Sequence, residues 1–295
     1  VFYKTVRYFF RHRQRYSYSM NRLYTSIGIT KQAFHQQLNR DCLKEQERAN
    51  LLPIVNQIRQ DHPTMGCRDM YYKLGVAHMG RDAFERFCKD EGLMVERFRN
   101  WRRTTDSSGV VRFDNLLPGL EIRHVNQVWQ SDITYFDVQG KFYYITFIID
   151  AYSRRIVGHS TSRRLLTSQT TLPALRMALK LREGLDLTGL IIHSDGGGQY
   201  YEKDFLQLTG KYNLVNSMCE YAWENGKAER INGVIKNNYL IHRSIKTFED
   251  LQKEVDRSVQ LYNFEKPHIG LQRKTPVNFE NIVSLKSLPA LNQLS

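Results

Sequence analysis

Several common signatures are missing from this chain of 295 residues, and each absence removes a class of protein. Its four cysteines, Cys42, Cys67, Cys88 and Cys219, are scattered, with no CxxC pair among them. That argues against a disulfide framework and against a thiolate zinc site. No apolar run approaches the roughly 18 residues a membrane span requires. The stretch 142–149 is the most apolar candidate, and it is short and lies mid-chain. Arg7, Arg11, Arg13 and Arg15 interrupt anything resembling the apolar part of a signal peptide. The reading is therefore a cytoplasmic protein with no membrane partner. Internal repeats and low-complexity segments are absent too. Because the chain begins at Val1 rather than Met, a piece of a longer product is expected.

Acidic residues are also in short supply: 30 Asp and Glu against 43 Lys and Arg, a net charge of +13. Hydrophobic residues at 41% and aromatics at 12% are ample for packed cores, so global disorder is excluded. A basic surface of this size suits a polyanion, and nucleic acid is the commonest. The excess is uneven: residues 1–120 carry a net +9 and residues 121–295 a net +4. Charge alone leaves ribosomal, membrane-surface and nucleic-acid enzymes open, so the motifs must decide.

Residues 1–22 hold six basic residues, no acids and many aromatics, which reads either as a DNA-contacting arm or as a tail ordered by a partner. Residues 23–96 read as a helical region. Leu23 and Ile27 are spaced i, i+4, Gly28 breaks the first helix, and Thr30 can cap a second one carrying Phe34 and Leu38. This is the outline of a helix-turn-helix, with Lys31 and Arg40 as candidate DNA contacts. Further helices are predicted over 51–60, 68–74 and 81–90. Their apolar stripes (Ile54 with Ile58; Met70 with Leu74; Phe84, Phe87 and Cys88) read as core. Residues 97–119 form a basic linker that includes Arg102 and Arg103, two more candidate phosphate contacts.

Beyond the linker the texture changes. Residues 128–136 and 141–150 are β-rich and joined through Gln139-Gly140, a hairpin signal, and a third strand follows over 155–160. A helix over 168–182, a short strand over 190–193, a helix over 203–211, a strand over 214–217 and a helix over 225–240 come next. Three antiparallel strands followed by alternating helix and strand make a mixed α/β sheet, assigned to residues 120–282. A helix over 248–262 and the loop 267–276 are expected to pack on this core or on a neighbouring subunit, and 283–295 forms a tail.

Three acids stand where metal chemistry needs them. Asp132 lies within the strand WQSDITYF, where a carboxylate costs several kcal/mol to bury unless something compensates it. Asp195 closes a strand in LIIHSDGGGQYY, and ligand sites in α/β sheets gather at the carboxyl ends of strands. His193 in that strand reads as a satisfied structural residue rather than a ligand. Glu229 lies on the helix NGKAERINGVIKNNYL. At about 100° per residue it shares a polar face with Asn225, Asn232, Gly233 and Lys236, opposite Ile231, Val234 and Ile235. Glu220 and Glu224 are nearby alternatives. Glu224 falls about 220° round from Glu229 and suits the helix N-terminus, and Glu220 falls in the preceding loop. Carboxylates of this kind suit Mg²⁺ or Mn²⁺, and two such ions could serve in-line phosphoryl transfer. Lys236, with Asn225 and Asn232, would then position DNA.

Taken in order, WQSDITYF, FIIDAYSRRIVGHS, HSDGGGQYY, ENGKAERINGVIKNNYL and KPHIGLQRKTPVNFE resemble the integrase-type core of bacterial insertion-sequence transposases of the IS-three family. HPTMGCRDMYYKLG and GRDAFERFCKDEGL resemble the helical DNA-binding segment that precedes that core. The resemblance covers roughly residues 20–280. It implies a ribonuclease-H-like mixed-sheet catalytic core after an all-α region. It also implies an Asp, Asp, Glu triad at Asp132, Asp195 and Glu229, and DNA cleavage and strand transfer as the reaction. The implied partners are transposon-end and target DNA, further copies of this chain assembled on that DNA, and an upstream-frame DNA-binding protein or fusion. Two departures stand out. Asp195 and Glu229 enclose 33 residues, two fewer than the family's usual interval, and Gly196-Gly197-Gly198 replaces the common Arg-Gly-Ser. The zinc-binding His and Cys pairs of retroviral integrases are absent. A catalytically inactive or domesticated relative acting as a DNA-binding regulator is the alternative, and a structure-selective nuclease of the same fold is a further rival. Intact acids at all three positions weigh against the first, and the large basic helical region against the second.

Overall fold

The computed structural model describes residues 2–15, 19–77, 79–95, 113–219 and 222–287. The chain falls into two compact units, Val1–Ile58 and Arg59–Ser295. The division comes inside the span 23–96 that the sequence treats as one helical region. Arg102 and Arg103, with most of the basic linker, lie outside the described residues.

The smaller unit is built on α1 (Phe2–Arg11), α2 (Met20–Ile27) and the first part of α3 (Lys31–Asp61). Its core is Val6, Tyr24 and Phe34, with Phe10, Leu23, Ile27 and Leu38 packed around them. The segment read as an arm or a partner-ordered tail is thus a helix that contributes Val6 to a core. Gly28 ends α2 in the left-handed region at φ 72°, and Thr30 Oγ1 accepts the Ala33 backbone N–H at 3.0 Å. Both are helix-end devices legible in the sequence. Two corrections apply to α3. It runs unbroken for 31 residues with Pro53 inside it, where separate helices are expected. Its buried stripe is Leu51, Val55 and Ile58, whereas Ile54 is 49% exposed.

The larger unit opens with α4 (Cys67–Leu74) and α5 (Arg81–Asp90), which bury Met70, Phe84, Phe87 and Cys88. Strands β1 (Val128–Val138), β2 (Lys141–Asp150), β3 (Ile156–Ser162), β4 (Ile191–Ser194) and β5 (Val215–Met218) form one sheet in the order β3-β2-β1-β4-β5. β1, β2 and β3 are antiparallel neighbours, and β4 and β5 run parallel to β1. Gln139 and Gly140 both take positive φ, 53° and 81°, as a two-residue turn matched to strand twist requires. α6 (Thr171–Leu181) and α7 (Lys203–Lys211) pack with Trp129, Ile148 and Val157 on one face. On the other, α8 (Gly226–Asn238) and α9 (Phe248–Phe264) pack with Ile145, Phe147 and Ile149. This is the mixed sheet expected from the sequence.

Polar contacts fasten the flanking elements to this core. His62 lies between the Tyr239 hydroxyl (Nδ1, 3.0 Å) and Glu265 (Nε2, 3.3 Å), and Lys73 also reaches Glu265 at 2.7 Å. Burial, which outweighs the pull of Glu265, lowers the His62 pKa to about 4, so the ring is neutral. α10 (Pro276–Ser287) is held by Glu280, which accepts from Arg155 and Arg182 at 2.6 Å each and from Ser153 Oγ at 2.7 Å.

Candidate active site

The register of β1 and β4 carries the site. Their parallel pairing ends at Ser131 opposite Ser194. Asp132 and Asp195 are the next residue on each strand, so they start from neighbouring strands about 4.8 Å apart, where the two part company. β1 continues beside β2, while the chain after β4 turns away through Gly196. That is a crevice at the carboxyl end of parallel strands.

The turn after Asp195 is tightly specified. Gly196 sits at φ 80°, and a Cβ there would meet the Met218 side chain and the Tyr201 hydroxyl. The Tyr201 hydroxyl donates to the Gly196 carbonyl, and the Gly197 N–H donates to Asp195 Oδ1 at 3.2 Å. Beneath both acids, the buried Tyr200 hydroxyl donates to Ser131 Oγ at 2.8 Å, because Ser131 donates its own proton to the Phe147 carbonyl at 3.1 Å.

α8 brings the third acid and two struts. The Asn225 amide donates to the Ser131 carbonyl at 2.8 Å, and the Asn232 amide donates to Asp132 Oδ2 at 2.6 Å. Asp132 Oδ1 accepts its neighbour's N–H, that of Ile133, at 2.9 Å. Glu229 is exposed at the edge of the same helix. Lys236 donates to Thr134 Oγ1 at 3.1 Å, and its ammonium lies 5.0 Å from the centre of the Tyr135 ring.

Electrostatics tie the three acids together. Burial, and then the negative charges of Asp195 and Glu229, push Asp132 up to about 8 against the hydrogen bonds from Ile133 and Asn232. Asp195 is raised by burial, and Glu229 by burial and then by the Asp195 charge. Among the described residues no three His, Cys, Asp or Glu side chains are already gathered around one point that could hold a metal ion. The fit to a divalent cation rests instead on the donor set. These are hard oxygen ligands whose mutual repulsion such a cation would relieve.

The helical wheel needs rotating relative to the sequence reading. The buried arc of α8 is Ala228, Ile231, Asn232 and Ile235. Asn225, 1% exposed, and Asn232, 6% exposed, face β1 rather than solvent, where each bonds to β1 instead of presenting itself on the surface. Lys31 and Arg40 are exposed on α3, but nine residues put them about 180° apart, so they share no face. Glu220 lies outside the described residues. His193 is half as expected: Nδ1 is 3.0 Å from Ser217 Oγ, while its buried Nε2 has no partner among the described residues. Ser131 and Tyr200 were missed. The recurring Ser-Asp pair in WQSDITYF and HSDGGGQYY was the available signal.

Two family models, each described as an integrase core domain, match residues 123–222 and 213–276. A 31 kDa protein of insertion element IS600 from Shigella sonnei is 28% identical over 264 residues, covering 86% of this chain and 95% of that protein. The putative transposase of IS986/IS6110 from Mycobacterium tuberculosis is 30% identical over 52% of this chain and 58% of its own length. Transposase InsF of IS3A from Escherichia coli K12 is 30% identical over 53% and 54%. The chain thus spans just over half the length of the latter two. Among solved structures, the HTLV-2 integrase catalytic core domain in complex with magnesium (dimeric form) is similar over 53% of this chain and 97% of that one, at 21% identity and a TM-score of 0.43. Together the two models span residues 123–276, just over half of the chain, and with the order of the motifs and the mixed sheet they place it in the integrase core family, similar to the transposases of bacterial insertion sequences.

Proposed function

We propose that this chain cleaves insertion-sequence ends and joins them to target DNA, with Asp132, Asp195 and Glu229 as the catalytic carboxylates and metal ligands. The observation that carries this reading is the placement of Asp132 and Asp195 immediately beyond the last parallel pair of β1 and β4, with the charge of Glu229 bearing on Asp132. The bound group that fits is a pair of Mg²⁺ or Mn²⁺ ions, whose chemistry is activation of an attacking oxygen and stabilisation of a leaving one. Asn232 orients Asp132, and the Gly197 N–H orients Asp195. Buried Tyr200 braces Ser131, the residue before Asp132. Lys236, half-buried with its pKa lowered by burial, presents a cation beside Asp132 for a DNA phosphate. The nucleophiles are water and then a DNA 3′-hydroxyl. Transposon-end and target DNA are the substrates, several copies of the chain act together on them, and an upstream-frame protein or fusion assists. The setting is the bacterial cytoplasm. Among the described residues no helix is long and apolar enough to cross a membrane.

The test is cleavage and joining of end DNA with purified variants. Asp132→Asn, Asp195→Asn and Glu229→Gln should each lower the rate by about 10²–10³-fold or more, on the scale of losing a key electrostatic stabiliser. Glu224→Gln should retain substantial activity, and EDTA should abolish the reaction while Mg²⁺ restores it. Full cleavage in EDTA, or loss of activity in Glu224→Gln but not in Glu229→Gln, would overturn the assignment.

A further inference from the structure

A second group of cations, which the site does not use, gathers around α8 and the turn between β2 and β3. Lys227 donates to the Ala151 carbonyl at 2.9 Å, three residues before Arg154 in the turn between β2 and β3. The Arg154 guanidinium lies against the backbone of Gly270, close enough that a side chain at position 270 would collide with it. Arg230 follows Lys227 by three residues on α8, which puts both on one side of the helix, about 100–160° round from Glu229. Between these elements sits His268, packed edge-on to Tyr262 with ring centroids 4.8 Å apart. Burial holds His268 neutral, with its pKa down to about 3, and the charges of Lys266, Arg154 and Arg230 push it the same way. Tyr262 feels Arg154 and Arg230 as well.

Several cations of this unit pair with carboxylates: Arg155 and Arg182 with Glu280, Arg163 with Glu249, Arg257 with Asp61, and Arg273 with Asp69. Among the described residues Arg154, Lys227, Arg230 and Lys266 make no such pair. The carboxylate near Lys227, Asp150, already accepts from Asn126, Tyr152 and Ser153. Arg154 is also held at φ 62°, a left-handed conformation unusual for arginine. Unpaired like charges gathered around a residue of unusual backbone conformation fit a binding site, because a bound anion would offset their repulsion.

We propose that Arg154, Lys227 and Arg230, with Lys266 behind them, form a phosphate-binding patch that grips a DNA backbone alongside the catalytic acids. Arg230 adjoins Glu229 in the chain but points about 100° round α8 from it, so a duplex held by these cations would pass the flank of the helix next to the face that carries Glu229. Phosphate contacts of this kind fix position and register and read no sequence. The inference rests on the DNA-processing reading for its choice of polyanion, but not on the chemistry of the acids.

Its test is therefore binding measured in EDTA, where catalysis plays no part. The full chain is titrated with a roughly 30-base-pair duplex of arbitrary sequence across a series of salt concentrations. Arg154→Asn, chosen because Asn tolerates positive φ, is combined with Arg230→Gln. The pair should weaken binding several-fold and flatten the slope of log K against log salt by about 0.9 for each phosphate no longer held. Arg154→Lys with Arg230→Lys should keep most of the slope. Arg176→Gln, at an exposed position of α6 across the sheet, serves as the reference for loss of one remote charge. An unchanged slope in the paired variant, or a weakening no greater per charge than for Arg176→Gln, overturns the proposal. Should the paired variant melt early, Arg230→Gln alone decides by the same criterion. A parent chain that binds the duplex with this salt dependence but shows no metal-dependent cleavage would count against the catalytic reading and leave this one standing.

Discussion

Asp132 meets the cost of a carboxylate in mid-strand through two hydrogen bonds, one from its neighbour's N–H and one from Asn232. Asn232→Ala would remove the only partner that comes from another element, leaving Asp132 free to turn away from Asp195. Cleavage should fall by about 10–100-fold, as loss of an outer-shell ligand partner commonly does, with a raised metal requirement and unchanged DNA affinity. Metal titration of the cleavage rate checks this; an unaltered metal requirement would mean that Asn232 is structural only. Gly196→Ala belongs to the same scale. At φ 80°, with Met218 and Tyr201 against it, alanine costs roughly 1–2 kcal/mol from the backbone alone. It should lower the melting temperature and, by displacing Asp195, the rate. The sequence made the three acids legible because each sits on a periodic element. It put Asn232 on the polar stripe that would position DNA, because a helical wheel gives angles between residues but not which angle faces the sheet. Packing of Ile235 and Ile231 against the core settles that zero point, and it turns Asn232 inward.

At the scale of elements, the C-terminal motif TPVNFE finds its reason in α10. Glu280 is 4% exposed, and it accepts from Arg155, Arg182 and Ser153 at once. Burial alone would raise its pKa, but the hydrogen bond and charge of Arg182, then Arg155 and Ser153, outweigh burial and leave it lowered. A carboxyl held below its unfolded value contributes stability above that value, near 4.3, and loses it as pH falls through the lowered folded one. Glu280→Gln should therefore cost about 3–5 kcal/mol near neutral pH, where it strands two arginines. The gap between the variant and the parent should narrow below about pH 4. Denaturant unfolding across that range measures both, and a constant gap would show that Glu280 stays protonated in the fold. Most element boundaries were legible, since the Gln139-Gly140 turn and the alternation of β1 and β2 are local signals. The unbroken α3 was not: Pro53 and the polar run before it suggest an interruption, and helix packing overrides them.

For the whole molecule the net charge of +13 leads to one more expectation. Duplex binding by the full chain should fall steeply with salt, by about 0.9 in log K per log unit for each phosphate contacted, and should survive both EDTA and Asp195→Asn. Affinity that is insensitive to salt would point to base contacts or a protein partner as the main source of binding. The two struts on α8 bear on a different matter. Asn225 and Asn232 fasten the helix to β1 at both ends of the turn that carries Glu229. The helix is thus indexed from the sheet and not from the loop before it. A shorter path between Tyr201 and Glu224 therefore need not move Glu229 relative to β1. On the proposed assignment, Asn232, three positions on and tied to Asp132, locates that acid better than a count of residues from Asp195 does.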